Sequence, residues 1–327
     1  MMLILNFIMK EFLNILLKFS RVVHEIWVIL FPVSYAKYYY KKNFNKKLNL
    51  RNPKDFNEKI QWLKIYSDLS QWTDLADKYK VREYVEKCGL KNILVKLYGV
   101  WKNADEIDFN KLPEKFILKT NNYCGNNILV YDKKELDVKN TRILLNKWVN
   151  IRYGLVSLEP HYWNIEGRII AEELLEDPDH KDLTTSLIDY KFFCFHGEPY
   201  IINVLYDRSN MIIGTTMNPN SSNTREILYD LEWNIVQNGY SYVDPHCQIL
   251  CIPKPKCLDE MIFICRKLSR PFPQVRVDLY EVNGKVYFGE FTFTSGSMDV
   301  FSSTLIELMG DKIDLSLAKR RTKKFII

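Results

Sequence analysis

Glycine is scarce in this chain, at 12 in 327 residues, and no Gly-x-x-x-x-Gly-Lys-Ser/Thr run occurs, so a Walker A phosphate loop is excluded. Gly-x-Ser-x-Gly is missing too; Ser295-Gly296-Ser297 does not supply the sharp elbow a serine nucleophile needs. The seven cysteines, Cys88, Cys124, Cys194, Cys247, Cys251, Cys257 and Cys265, are odd in number and dispersed, with no Cys-x-x-Cys pair. That spacing argues against a disulfide framework and reads as a reduced, cytosolic protein. His246 beside Cys247, Cys251, Cys257 and Cys265 lacks the paired grip of a structural zinc site. No apolar run reaches the ~18 residues of a membrane span, because Lys10, Glu11, Lys18, Arg21, His24 and Glu25 interrupt the apolar N-terminus. A signal peptide fits poorly, since no small-residue cleavage site follows Phe31-Pro32.

What is present suits a sizeable core: 47% of residues are hydrophobic and 14% aromatic. The net charge of +6 is uneven. Residues 1–60 hold eleven Lys/Arg against four Asp/Glu and residues 311–327 six against two, leaving 61–310 at −5. A mildly acidic body without an aromatic–glycine RNA-binding signature argues against nucleic acid as a partner. Phe7, Phe12, Leu16, Phe19 and Val23 recur at helical spacing, which predicts one or two amphipathic helices. These either pack on the protein's own body or dock on an anionic membrane face, helped by Lys41, Lys42, Lys46, Lys47 and the basic Lys319–Lys324 tail. Tyr38-Tyr39-Tyr40 serves packing or interfacial anchoring in the same way.

Beyond Asn52-Pro53 the pattern is regular. Helices are predicted at Asn57–Lys64, Thr73–Lys87 with Gly89 as the stop, residues 139–153, and Cys257–Ser269. Strands are predicted at Ile93–Tyr98, Phe116–Thr120, Ile128–Tyr131 and Arg168–Leu175. Two hairpins follow: Tyr190–Phe195 with Tyr200–Leu205 around His196–Pro199, and Val275–Tyr280 with Val286–Phe291 around Glu281–Gly284. The order is α/β with antiparallel hairpins, an α+β arrangement, rather than a run of parallel βαβ units.

Several chemical features are ordinary singly. Lys78 opens a helix, where a solvated surface charge is the plain reading. Lys119 near the end of an apolar strand precedes the polar loop Asn121–Asn127, which either cradles phosphate or simply turns the chain. Glu172-Glu173-Leu174-Leu175 closes a strand whose backbone and acids suit an adenine edge and ribose, or are surface acids. Lys191 shares a strand face with Phe193 and Phe195, which is costly unless it meets an anion. Asp207-Arg208 after the partner strand can clamp a phosphate or carboxylate. Asp278 and Glu290, twelve residues apart around Asn283-Gly284, belong on neighbouring antiparallel strands. There they form either a hard-oxygen site for Mg²⁺ or a salt-bridged pair with Arg276 as one partner.

Taken in order, these parts resemble the ATP-grasp superfamily, and more closely its TupA-like family. The stretches that carry the resemblance are Asn52–Ile60, Asp77–Arg82, Asp189–Phe192, Arg276–Tyr280 and Gly289–Thr294, within about residues 37–312. The resemblance implies two α/β subdomains gripping ATP. It divides the chain into a helical extension (1–50), a substrate-side region (51–110) that includes Asn57-Glu58-Lys59, an ATP-grasp domain (111–312) and a basic tail (313–327). Lys78 and Lys119 are then the nucleotide-phosphate lysines, Glu172 or Glu173 with Leu175 the adenine hinge, Lys191 and Arg208 the catalytic cations, and Asp278 and Glu290 the Mg²⁺ ligands. Thr292 stands where the superfamily commonly has Asn as third ligand, and the loop after Lys119 is poorer in glycine than usual. The implied activity is ATP-dependent joining of a carboxylate to an amine through an acyl phosphate, in surface-polysaccharide synthesis. The acid and amine are a uronic acid or peptide-like chain and an amino acid or amine, and the setting is cytoplasmic at the inner membrane face. A kinase stopping at phosphoryl transfer, a glycosyltransferase holding a sugar nucleotide, and a non-catalytic nucleotide-binding scaffold are the rivals.

Overall fold

Two five-stranded sheets organise the chain in a computed structural model that describes residues 22–207, 212–213, 224–240, 251–295 and 300–322. Helical residues 22–30 (α1) lead into α2 (Pro32–Phe44), which starts with a proline in its first turn, where the missing N–H is harmless. Then come α3 (Phe56–Tyr66), α4 (Ser70–Ala76), α5 (Val81–Lys87), β1 (Leu97–Trp101), β2 (Phe116–Thr120), β3 (Asn127–Val130), α6 (Val138–Val149) and β4 (Ile169–Glu172). The second half holds β5 (Asp189–Phe195), β6 (Glu198–Tyr206), β7 (Ile212–Ile213), β8 (Arg225–Tyr229), α7 (Leu258–Ser269), β9 (Val275–Val282), β10 (Lys285–Thr292) and α8 (Ser303–Asp311).

The first sheet runs β1-β4-β2-β3-β7 and the second β10-β9-β5-β6-β8. Most pairs are antiparallel; β3 with β7 is parallel. Each sheet has its own core. Phe116, Leu118, Ile128 and Ala171 of the first pack with Leu145 and Trp148 of α6. Phe192, Ile202, Val277 and Leu279 of the second share a larger core with Tyr35, Leu63, Trp72, Val85, Met261 and Met309 from α2–α5, α7 and α8. Thus α2 is built into the second unit, and β1, from the region before residue 111, is built into the first.

Capping explains several boundaries. Asp55 accepts the Glu58 N–H at 2.8 Å to start α3, and the Glu58 carboxylate takes the N–H groups of Asn49 (3.0 Å) and Lys54 (2.8 Å). Lys59 Nζ donates to the last carbonyls around α8, Gly310 (2.8 Å) and Ile313 (2.9 Å). Glu58 and Lys59, read as part of a substrate-side element, are therefore fasteners. A Cβ on Gly310 would come 2.6 Å from the Lys54 carbonyl, so that glycine permits α8 to lie on the start of α3.

Some elements differ from the expected ones. The helix predicted over Thr73–Lys87 is two, because Asp77 Oδ1 captures the N–H groups of Tyr79 (2.8 Å) and Lys80 (3.1 Å) and turns the chain between them. The strand predicted at Ile93–Tyr98 begins only at Leu97; Lys91–Ile93 is a 3₁₀ turn that buries Ile93. The strand predicted to Leu175 ends at Glu172, after which the Glu173 N–H bonds the Lys96 carbonyl at 2.9 Å. Helix α6 stops at Val149, short of residue 153, where Asn122 Nδ2 takes the carbonyls of Val149 (3.0 Å) and Ile151 (3.2 Å). The first hairpin turn is only His196-Gly197, both at positive φ (50° and 88°), so Glu198 and Pro199 join β6. Asn283-Gly284 makes the same two-residue, left-handed turn (53° and 68°) between β9 and β10.

Candidate functional site

The site grows from the β9–β10 hairpin. Phe288 pairs with Leu279 and Glu290 with Asp278, so the ladder slips by one residue and Gly289 is the extra one. A Cβ at Gly289 would sit 3.0 Å from the Asp278 carbonyl and 3.0 Å from the Tyr280 ring. The bulge places Glu290 across from Asp278 and Thr292 across from Arg276 on one face, while Phe288, Phe291 and Phe293 are buried. On the other side of β9, Lys191 of β5 also pairs with Asp278.

Charge balance then dictates the contacts. Asp278 is almost wholly buried, and a lone carboxylate there would be expelled or protonated. Arg276 binds both its oxygens (2.6 and 2.7 Å), Lys191 binds one of them, and Lys191 also reaches Asp189 at 2.7 Å. Burial alone would raise the Asp278 pKa, but Arg276 and Lys191 outweigh it and hold the group at about 2. Glu290, half-buried, lies 3.4 Å from Lys78 and 3.9 Å from Arg276. Burial and Asp278 push its pKa up, Lys78, Lys191 and Arg276 push it down, and the net direction is down. Lys78 moves correspondingly upward, Glu290 overcoming the effect of burial. Arg276, which entered the sequence reading only as a salt-bridge partner, is the hub of the cluster; its place beside Asp278 at i, i+2 on a strand was the available signal.

Lys78 also joins the two sheets. Its N–H bonds the Asn121 carbonyl (3.3 Å) and its Nζ the Tyr123 carbonyl (2.8 Å), both in the loop between β2 and β3. That loop is pinned at its base. Asn121, fully buried, accepts the Arg168 N–H at 2.6 Å and donates to the Glu166 carbonyl at 3.0 Å; Asn122 holds the end of α6. Its tip passes close to the acids, for the Glu290 carboxylate, more than burial, pushes the Cys124 thiol upward. The loop is thus an anchored flap over the hairpin rather than a plain turn, and the two buried asparagines that make it so were missed by sequence reasoning.

Lys119 and Glu172 meet elsewhere on the first sheet. Lys119 Nζ is 2.5 Å from one Glu172 oxygen and Arg82 Nη1 is 3.0 Å from the other, so both oxygens of this buried carboxylate are taken. Glu173 is half-buried just beyond β4, and Leu175 is half-buried two residues further on. Arg208 lies outside the described residues, as do residues 1–21, His246, Cys247, Gly296-Ser297 and residues 323–327. Asp207 accepts the Thr185 N–H at 3.0 Å and lies 3.8 Å from Arg225. The basic tail is drawn onto the body: Lys319 pairs with Asp68 (3.0 Å), Arg320 stacks over Trp62 (4.3 Å) and Arg321 Nε donates to the Ser67 carbonyl (3.1 Å). Among the described residues no group of three or more His, Cys, Asp or Glu forms a ready metal site.

A cavity of about 270 Å³ adjoins the cluster, bounded by Arg276, Thr292, Cys124, Lys64, Gln61 and Glu159 among others. Lys64 is 5% exposed and donates to the Ser157 carbonyl at 3.1 Å; burial lowers its pKa, with Glu159 acting the other way. Glu159 is buried and accepts from Ser157 Oγ (2.6 Å) and Thr294 Oγ1. Gln61 Oε1 and Ser295 Oγ are buried and lack a hydrogen-bond partner among the described residues, which leaves two polar atoms for a ligand to satisfy. A larger open groove of about 800 Å³ between α2 and α8 contains none of the candidate ionic residues, though Phe44 and Asn57 line both spaces.

Two sheets joined over a triad of cations and two opposed carboxylates suit a polyphosphate with a hard divalent ion, beside a pocket for a second reactant. A family model described as TupA-like ATPgrasp matches residues 58–314. No curated protein matches the chain. Solved structures with a similar fold include D-alanine–D-alanine ligase from Bacillus anthracis, 13% identical, spanning 79% of this chain and 74% of that one with a TM-score of 0.44. Biotin carboxylase from Campylobacter jejuni in a β,γ-ATP complex is 10% identical over 79% of this chain and 50% of that one, TM-score 0.44. An L-amino acid ligase from Bacillus licheniformis is 14% identical over 70% and 45%, TM-score 0.38.

Proposed function

Because the chain belongs to the TupA-like ATP-grasp family, we propose that it is an ATP-dependent ligase that activates a carboxylate and joins it to an amine. One observation carries this reading: Asp278 stands across from Glu290 on neighbouring strands, and Lys78 ties that pair to the Asn121–Asn127 flap of the other sheet.

In this reading ATP lies between the sheets, its phosphates drawing on Lys78, Lys191 and Arg276. Lys119, Glu173 and Leu175 line the nucleotide side, with Glu172 locked in its ion triad as a support. The donor set fits Mg²⁺, which is commonly held through one or two carboxylates while substrate phosphates complete its shell. Asp278 and Glu290 would hold it, with the Thr292 hydroxyl on the same face, and it would neutralise phosphate charge. Both Asp278 oxygens are taken by Arg276 and Lys191, so phosphates must draw those cations away before the carboxylate can ligate.

The acid substrate occupies the cavity beside Arg276 and Lys64. A carboxylate oxygen attacks the γ-phosphorus, ADP departs, and the acyl phosphate forms between Lys191 and Arg276. The amine nitrogen then attacks the acyl carbon, inorganic phosphate leaves, and the amine loses a proton. The protein's part is placement and charge compensation. The setting of the resemblance supports a role in making bacterial surface polysaccharide, with a uronic acid or peptide-like acid and an amino acid or amine as reactants.

The test is release of ADP and phosphate with panels of uronic acids, nucleotide sugars and amino acids. Release that requires an acid and an amine together supports the ligase. A phosphorylated product formed without amine identifies a kinase, and turnover of a nucleotide sugar without ATP identifies a glycosyltransferase.

A further inference from the structure

The N-terminal helices expose a surface that the proposed chemistry does not use. Val22, Val23, Ile26 and Leu30 of α1 are 52%, 50%, 48% and 65% exposed, and Phe31 after them is 60% exposed. At 100° per residue the four helical positions fall within an arc of about 100°. Val28, which is fully buried, lies on the other side, so α1 is fastened to the body by one stripe and shows a second apolar stripe to solvent.

That stripe continues into a basic face. Trp27 of α1 meets Tyr38 of α2 with ring centroids 5.0 Å apart, and Trp27 Nε1 donates to Ser34 Oγ at 3.4 Å. Tyr38 and Ser34 sit on the exposed side of α2 together with Lys37, Lys41 and Lys42. Between residues 26 and 54 the sequence contains seven Lys/Arg and no Asp or Glu. Exposed Lys37, Lys41, Lys42, Lys46 and Lys47 have no salt bridge among the described residues. A protein partner of ordinary mixed charge would leave this one-signed field unanswered, whereas an anionic bilayer offers apolar depth for the stripe and negative headgroups for the lysines. Trp27 and Tyr38, half-buried or exposed at the boundary, are the amphipathic rings such an interface favours.

We infer that α1 and the exposed face of α2 dock this protein peripherally on an anionic membrane surface, Val22, Ile26, Leu30 and Phe31 entering the interface and Lys37, Lys41 and Lys42 meeting the headgroups. No described helix is long and apolar enough to cross a membrane. Tyr39 of the same α2 lines the cavity beside the ion cluster, and Tyr35 donates to the carbonyl of Val156, itself 64% exposed and next to the cavity residue Ser157.

Full-length protein should sediment with vesicles containing phosphatidylglycerol, weakly or not at all with pure phosphatidylcholine, and less as salt rises. Ile26→Glu combined with Leu30→Glu should lower the partition coefficient more than tenfold, and each of Lys41→Gln and Lys42→Gln by roughly fivefold, given about 1 kcal/mol per surface lysine. Melting temperatures should stay at the wild-type value. The inference is overturned if wild-type protein ignores phosphatidylglycerol vesicles. It is also overturned if the double glutamate variant leaves partition unchanged while dissociating an oligomer in light scattering, since a second copy then covers the stripe. A marked drop in its melting temperature would likewise refute it, because the stripe would then be covered within the chain, residues 1–21 included.

Discussion

Lys78 meets Glu290 at 3.4 Å although one lies in the turn between α4 and α5 and the other on β10. Its Nζ bonds the Tyr123 carbonyl as well, so a single ammonium holds the flap of the first sheet against the carboxylates of the second. Lys78→Met should cut ATP-dependent turnover by about 10²–10³-fold, the usual loss when one positioned charge or donor is removed. Hydrogen exchange at residues 121–126 should accelerate in the same variant, because the amides lose their tether. Unchanged turnover would remove Lys78 from the nucleotide site.

Asp278→Asn leaves Arg276 and Lys191 facing each other without their shared anion. Breaking a buried pair from one side costs about 3–5 kcal/mol, readable in urea unfolding. Turnover should vanish as well. Adding Arg276→Met to Asp278→Asn should restore much of the stability and none of the activity, which separates scaffold from chemistry. Glu290, partly open to solvent, should behave differently: Glu290→Gln should cost about 1 kcal/mol or less while still abolishing turnover. A working Glu290→Gln enzyme would contradict the metal-ligand role.

The ion cluster should give way only in strong acid. The Asp278 pKa is depressed to about 2 from its ordinary 3.8, so its stabilising contribution is fully present above pH ~4 and is lost as the pH falls through about 2. The direction for Glu290 is the same. Wild-type stability should therefore fall by about 2 kcal/mol between pH 4 and 2 from Asp278 alone, and the Asp278→Asn protein should show a flatter profile in urea titrations.

Lys64 has the opposite logic. Burial lowers its pKa, so its charged form burdens the folded state below the shifted pKa, and that burden fades as the pH rises towards the ordinary lysine value. Lys64→Met should be neutral or stabilising by about 1 kcal/mol at pH 7, with the two proteins converging at alkaline pH. KM for the acid substrate should rise at least tenfold with kcat less affected. A destabilised variant with an unchanged KM would make Lys64 structural.

Local pattern made most of this architecture readable. The β9–β10 hairpin announces itself through alternation and Asn283-Gly284, and its acids, twelve residues apart, do face each other. The strand carrying Lys119 spans Phe116–Thr120 as its apolar run indicates. What pattern could not supply is partnership across long separations. Nothing local says that Arg82 would reach Glu172, ninety positions later, or that Asn121 would knit its loop to Glu166 and Arg168. The break inside Thr73–Lys87 was hidden because Asp77 is compatible with helix on propensity alone, and its side-chain capture of two N–H groups is a decision of geometry. Arg320 on Trp62 and Lys319 on Asp68 show the same limit: a basic run reads as a free tail until the surface that receives it is known.

Val286 and Phe288 turn inward as even-numbered residues, Phe291 and Phe293 as odd-numbered ones, and the parity changes at Gly289. The hairpin therefore has one position where its length can vary at no cost to orientation. Shortening the chain by Gly289 alone would leave a flat ladder in which every later side chain keeps its present side, whereas removing Phe291 or Thr292 would turn Phe293 out to solvent. A one-residue gap in a relative's hairpin, falling at that spot, would leave the acid pair intact.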